Sequence, residues 1–338
     1  MQHLSLPHTN LTSSAICLGC GQYGTGIPAE QAWALLDAFA EQGGSFLDTA
    51  RVYGAWAAAG AGASERVLGA WLKARGMRSR MIIGTKGGHP ELATMHLSRL
   101  TPAEIAADLS ASLDDLQTDA IDLYWLHRDD PAVPVGEILG VLNDHLAAGR
   151  IRAIGASNWT APRLAEAASY ARVHKLIGFQ ASQIGWSLAT ANPAAAGFAG
   201  MLYMDEPMLA YHQRTGLPVV AYSSQAGGFF SGKYARPDTA RPGGAPETRQ
   251  VATKPAPRLY ADDLNFTRLD RARELAARHG CTPNQIALGY LLSQPFPVFP
   301  IAGCRTAEQV RASCAAAEVQ LTAEEIAYLW TGVQHTAK

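Results

Sequence analysis

The sequence predicts an α/β fold: a (β/α)8 TIM barrel with an N-terminal hairpin and long loops after strands six and seven. Three observations predict it. Short apolar runs alternate with longer helical segments along the whole chain of 338 residues. Helix-start and helix-stop residues punctuate that alternation at the expected places. Polar side chains able to do chemistry recur at the carboxyl ends of the apolar runs, where a barrel gathers them into one cavity. Residues 1–338 are accordingly expected to form one barrel domain.

Residues 2–6 and 13–20 suggest a hairpin that runs into the first barrel strand. Residues 29–42 form a helix, with Pro28 suited to its first turn and Gly43 and Gly44 past its end. The second strand is 46–48, followed by a helix over 64–75 and a third strand over 81–86. Thr101 and Glu104 have capping-box spacing at the start of a helix running to about Leu116. Strand four is 120–126, with a helix at 134–148 that Gly149 closes. Strand five is 151–157, with a helix at 160–174. Strand six is placed at 178–183, the next helix at 206–215, and strand seven at 218–223. Strand eight is 297–301, with helices at 306–316 and 322–330. Two segments break this rhythm, residues 184–205 and 224–264. The second is rich in Gly, Pro and Arg, and a disordered insert over 236–258 is an equal reading.

Composition narrows the function classes. Hydrophobic residues make up 48%, enough for a large core, and charged residues only 17%. With 28 basic and 29 acidic side chains the net charge is -1, so no general attraction to nucleic acid or anionic membrane is expected. No apolar run reaches the ~20 residues needed to span a bilayer. The five cysteines are an odd number and no secretory h-region opens the chain, which points to a reducing, cytoplasmic location. Cys17 and Cys20 have C-x-x-C spacing but sit in a strand-like run, where residues three apart face opposite sides. They read as packing residues. The ten histidines offer no H-x-H or H-x-x-x-H pair at strand ends, so a metal-dependent hydrolase is disfavoured and no metal is expected.

The rival fold is a doubly wound open sheet. Residues 19–24 match G-x-G-x-x-G literally, but the next helix begins only after Pro28. No acidic residue ends a second strand at the required distance. The stretch reads instead as a glycine-rich loop at a barrel mouth.

The strand ends supply Asp48 with Tyr53 just beyond, then Lys86, His127, Ser157 with Asn158, Gln183, and Tyr222 with Ser223. A phenol with a free pKa near ~10 is a poor acid, and an ammonium beside it favours the phenolate. Lys86 is therefore expected to lower the Tyr53 pKa, with Asp48 holding Lys86 charged. His127 is suited to orient a carbonyl oxygen. Such a set protonates an oxygen while hydride reaches carbon, and none of these side chains can deliver hydride, so a cofactor is required. Ser157, Asn158 and Gln183 suit a carboxamide, and Tyr222 suits stacking on a nicotinamide ring. Tyr23, Trp56, Trp125, Trp159 and Trp186 fall on or near mouth loops and are candidate substrate-pocket residues; Trp125 is equally open to a barrel-packing role. Arg128, Asp129 and Asp130 read as loop salt bridges.

At these residues the sequence resembles the aldo/keto reductase superfamily. The matching stretches are FLDTARVYG with ASERVLGAWL, GTKGG, DLYWLHRDD, GRIRAIGASNW and AYSSQAGGFFSGKY, in order and over nearly the whole chain. The resemblance implies reversible, NADPH-dependent reduction of a small-molecule carbonyl, with NADH as the alternative cofactor. Asp48, Tyr53, Lys86 and His127 match the family's catalytic tetrad. Cofactor contacts are implied at Ser157, Asn158, Gln183 and Tyr222, at Ser223, Gln225 and Gly227, and at Gly303, Arg305, Gln309 and Ser313. Departures from the family pattern occur at Ser224-Gln225, where Pro-Leu is common, and at Gln309, where a basic residue is usual. Arg305 is the candidate for a 2′-phosphate. The contrasting function is a nicotinamide-binding regulatory protein with little turnover. Neither the carbonyl substrate nor the oligomeric state follows from the sequence.

Overall fold

The computed structural model describes residues 1–195, 200–234, 236 and 259–332. Residues 237–258, for which a disordered insert was one reading, lie outside the described residues. Strands β1 (His3–Ser5) and β2 (Thr12–Ser14) form an antiparallel hairpin, with His3 opposite Ser14. Eight further strands follow: β3 (Cys17–Gly19), β4 (Phe46–Asp48), β5 (Ile82–Gly87), β6 (Ile121–Leu126), β7 (Ile151–Ser157), β8 (Ala181–Gly185), β9 (Val219–Tyr222) and β10 (Val298–Ala302). They close into a barrel in the order β10-β3-β4-β5-β6-β7-β8-β9, every pair parallel.

Alternation along each strand divides the core in two. Cys17, Phe46, Leu123, Trp125, Val220 and Phe299 fill the barrel interior. Tyr124, Leu126, Ile154 and Ala156 pack outward in the larger layer beneath the helices. Cys17 and Cys20 fall on opposite sides of this division and both are buried free thiols, in keeping with a packing role. Leu6 and Leu11 at the hairpin tip join the inner cluster and plug the amino end of the barrel.

Trp125 shows how the interior accommodates a large ring. A methyl on Gly155 of β7 would stand 2.2 Å from the indole, and one on Gly84 of β5 would stand 3.0 Å from its nitrogen. The strands flanking β6 therefore lack side chains where the indole lies. Truncating a buried ring of this kind costs about 3–5 kcal/mol.

Helices α1 (Ala29–Glu41), α2 (Ala63–Arg75), α3 (Pro102–Leu116), α4 (Val135–Ala147), α5 (Ala161–His174) and α6 (Glu206–Thr215) follow the strands as expected. The capping box at Thr101 and Glu104 is formed, each residue bonding the other's backbone N–H. Two further helices, α7 (Asp263–His279) and α8 (Pro283–Leu292), occupy a region where the sequence suggests no element. Six consecutive residues of α8, Ile286 to Leu291, are buried, so the helix has no amphipathic period to read. Its capping box, Thr282 with Gln285, was the available signal. Helices α9 (Ala307–Ala315) and α10 (Ala323–Thr331) complete the described chain. Strand β8 begins three residues later than expected, because Gln180 bonds back to Ile154 as part of the approach to the strand. No helix among the described residues is long and apolar enough to cross a membrane.

Candidate active site

The carboxyl ends of the strands open into a cavity of about 1170 Å³. A second hollow, about 770 Å³, lies at the opposite end beside Leu11, Gly149 and Ile151, away from the polar strand ends. At the first, Lys86 is the central group. Its ammonium donates to Asp48 Oδ2 at 2.7 Å, to the Thr49 carbonyl at 2.7 Å and to the Tyr53 hydroxyl at 3.1 Å. Only 1% of the Lys86 side chain is exposed, so water does not solvate the charge and these three acceptors must. The other Asp48 oxygen accepts from Gln183 Nε2 at 2.8 Å. The His127 ring lies edge-on to Tyr53, centroids 5.9 Å apart.

Local chain geometry delivers Tyr53 to this position. The Arg51 N–H donates to the Lys86 carbonyl, and the Tyr53 N–H closes a turn on Ala50. Gly54 has φ +102, and a methyl there would stand 2.4 Å from the Gly60 carbonyl oxygen. The ASER stretch supports the turn from below. Thr49 donates to Ser64, Ser64 to the Cys20 carbonyl, and Thr85 to the buried Glu65. Arg51 bridges Glu65 and Asp115.

The electrostatics correct one expectation. Burial pushes the Tyr53 phenol above its usual range, and Lys86 pulling the other way does not reverse it. Tyr53 is thus a protonated phenol across neutral pH. Burial opposes the Lys86 charge, yet Asp48 and Tyr53 together hold its pKa above the ordinary lysine value. Burial, reinforced by Lys86, His89 and Arg128, drives His127 well below 6.5, so its imidazole is neutral at pH 7.

A long cleft leads away from Tyr53. Gly21, Ser223, Gln225, Gly227, Gly303, Arg305, Gln309 and Ser313 line it, with Tyr222 near its inner end. Gln225 ties the two sides, accepting from Gly303 N–H and donating to Ser313. The departure at Ser224-Gln225 therefore has a structural use, since Ser224 also donates to the Ile301 carbonyl from full burial. Ser223 (φ 54), Ala226 (φ 48) and Asn158 (φ 60) adopt left-handed backbone, at a cost of about 1–2 kcal/mol each for a residue with a Cβ. Lys233, not singled out from the sequence, lines the same cleft. Its place in SGKY, just past Gly227 and Gly228, was the signal. Neither Lys233 nor Arg305 meets a carboxylate among the described residues.

The amide groups are partly committed. Asn158 Oδ1 accepts from Leu202 N–H and from the Tyr222 hydroxyl, while its Nδ2 reaches the His127 carbonyl at 3.3 Å. Ser157 sits beside it at 1% exposure. The aromatic candidates divide. Trp56 is 48% exposed with its ring 6.1 Å from that of Tyr53, at the mouth. Tyr23, Trp159 and Trp186 are instead buried core residues, a correction to the expected pocket lining, and Trp125 takes the barrel-packing role that the sequence left open. Trp159 packs on Phe179 and Trp186 stacks on Phe296. The loop salt bridges need a smaller correction. Asp129 is engaged by Arg163, and Asp130 accepts from Ala132 N–H, but Arg128 pairs with neither.

A closed parallel barrel with Asp48, Tyr53, Lys86 and His127 converging at its carboxyl end is suited to nicotinamide-dependent oxidoreductase chemistry. Comparison with known proteins agrees. The profile of the aldo/keto reductase family matches residues 15–331, and the chain belongs to that family. It is 31% identical over 334 residues to norsolorinic acid reductase stcV of Emericella nidulans, covering 95% of this chain and 78% of the relative. It is 28% identical to the uncharacterized oxidoreductase YrpG of Bacillus subtilis, over 96% of this chain and 93% of that one. The aldo-keto reductase str7 of Strobilurus tenacellus is 27% identical over 91% of this chain and 82% of its own. The protein is an NAD(P)H-dependent oxidoreductase acting on a small carbonyl compound.

Proposed function

We propose that this chain, working as a single barrel unit, uses NADPH to reduce an aldehyde or ketone to an alcohol, reversibly, with Tyr53 as the proton donor. The observation that carries the proposal is the Lys86 ammonium held between Asp48 and the Tyr53 hydroxyl. A buried, protonated phenol gives up its proton only if the phenolate left behind is stabilised. An ammonium 3.1 Å away does that, with attraction on the order of 5 kcal/mol at an effective dielectric of ~20. Asp48 keeps the ammonium charged. Neutral His127 donates to the carbonyl oxygen without adding a second cation.

The cleft supports a dinucleotide. Its lining includes Gly21, Gly227, Gly228 and Gly303, and Lys233 and Arg305 are cations without carboxylate partners among the described residues, suited to phosphate. When bound, the nicotinamide supplies hydride to the carbonyl carbon. Tyr222 would flank its ring, and Ser157, Asn158 and Gln183 its carboxamide. Arg305 at the start of α9 favours a 2′-phosphate, hence NADPH over NADH.

Tyr53→Phe tests the assignment. Turnover followed by NADPH absorbance is expected to fall by about 10²–10⁴-fold, while NADPH binding followed by fluorescence survives. Turnover within a few-fold of wild type would remove Tyr53 as the acid. No NADPH consumption by wild type with a broad aldehyde panel would favour a nicotinamide-binding sensor.

A further inference from the structure

Arg128 follows His127 directly and carries a charge that the proposed chemistry does not use. Its guanidinium is half-buried, and Nε is shielded from water with no hydrogen-bond partner. Its Nη1 donates to the His127 carbonyl at 3.3 Å. The two carboxylates next in sequence are engaged elsewhere: Arg163 takes Asp129, and Asp130 caps the turn at Ala132. Burial lowers the Arg128 pKa, with Tyr222 and Tyr53 opposing, and no carboxylate among the described residues forms an ion pair with it. Gly200, in the loop after β8, covers the aliphatic stem: a methyl there would lie 3.6 Å from Cδ.

Among the described residues, the other charges beside Tyr53 balance. Lys86 is matched by Asp48, and burial keeps both His127 and the adjacent His89 neutral. Among the described residues, Arg128 therefore leaves an excess positive charge beside the place where the carbonyl is proposed to bind. An unpaired, partly desolvated guanidinium is costly unless a ligand meets it, and its fork matches an anionic oxygen pair.

We infer that Arg128 is a specificity residue that binds an anionic oxygen, carboxylate or phenolate, carried by the carbonyl substrate itself. This rests on the reductase reading and deepens it: the preferred substrates are aldehydes or ketones bearing an acidic group. Arg163 cannot substitute, because Asp129 and the Val133 carbonyl hold it.

The test compares three aldehydes of similar size: 4-formylbenzoate, 4-hydroxybenzaldehyde and the uncharged 4-methylbenzaldehyde. Wild type is expected to favour 4-formylbenzoate in kcat/KM, mainly through KM. In Arg128→Met the ratio of kcat/KM for 4-formylbenzoate to that for 4-methylbenzaldehyde is expected to fall by about 10- to 100-fold, the worth of a hydrogen bond to a charged group. Arg128→Lys restores part of it. A ratio cancels any loss of folded protein. Preference for 4-hydroxybenzaldehyde that rises as its phenol ionises identifies phenolate as the better ligand. Binding of benzoate to the NADP⁺-loaded protein, read by calorimetry, provides a readout independent of turnover. If no aldehyde is reduced but benzoate binds wild type and not Arg128→Met, the anion site stands and the reductase reading falls. If 4-methylbenzaldehyde is reduced but the ratio and benzoate binding are the same in both proteins, the Arg128 proposal is overturned.

Discussion

Asp48→Asn keeps the shape of the side chain and removes its charge. Lys86 would then sit at 1% exposure with only neutral acceptors, the Thr49 carbonyl, the Tyr53 hydroxyl and one amide oxygen that Gln183 also seeks. Removing one partner of a buried pair costs about 3–5 kcal/mol. The alternative open to the variant is to release the lysine proton. From a free pKa of ~10.4, neutralising the amine at pH 7 costs at most about 4.6 kcal/mol, at 1.36 kcal/mol per unit. That route becomes cheaper as pH rises, by about 2.7 kcal/mol between pH 7 and pH 9. Wild type behaves in the opposite sense. Its Lys86 pKa is raised, so the stability from this pairing is complete below the unfolded value and is lost only in strongly alkaline solution. The assay is urea unfolding of both proteins at pH 7 and pH 9. The variant is expected to lose 3–5 kcal/mol at pH 7 and to recover part of it at pH 9. The double variant Asp48→Asn, Lys86→Met is expected to be more stable than the sum of the single losses predicts. A deficit below about 1 kcal/mol at pH 7, or strictly additive losses, would refute a charged, desolvated pair.

Three further outcomes follow from the same geometry. Because His127 is held neutral and Tyr53 protonated, kcat/KM for reduction is expected to be flat from pH 6 to 9, and an acid limb near 6.5 would contradict a neutral His127. Buried His212 is lowered from 6.5 to about 4, chiefly by burial. Its depressed pKa means the unfolded chain binds the proton first, so stability falls as pH drops below 6.5. The loss from this residue is about 2 kcal/mol at pH 5, checked by the urea midpoint of wild type against His212→Asn. Gly155→Ala would drive a methyl to 2.2 Å from the Trp125 ring and is expected to destabilise by about 1–3 kcal/mol, measured by thermal unfolding.

The strand ends were legible because a buried strand seldom finishes in Asp, Lys or His without a use for them. Asp48, Lys86 and His127 therefore marked the cavity before any contact was known. Helix α8 was not legible, since a segment buried on all sides carries no period. The mouth aromatics misled for a related reason. Trp159 and Trp186 sit near loop positions in sequence, but which way a ring turns depends on neighbours far along the chain, such as Phe179 and Phe296.

The sequence by itself determined the barrel, through its alternation of apolar runs and capped helices, and the four side chains that meet at its carboxyl end. Only the tertiary structure decided their states. Burial outweighs Lys86 at the Tyr53 phenol and keeps it protonated, and Asp129 turns to Arg163, leaving Arg128 without an acid partner among the described residues. Both outcomes depend on desolvation and on long-range pairing, and neither quantity is carried by local residue order.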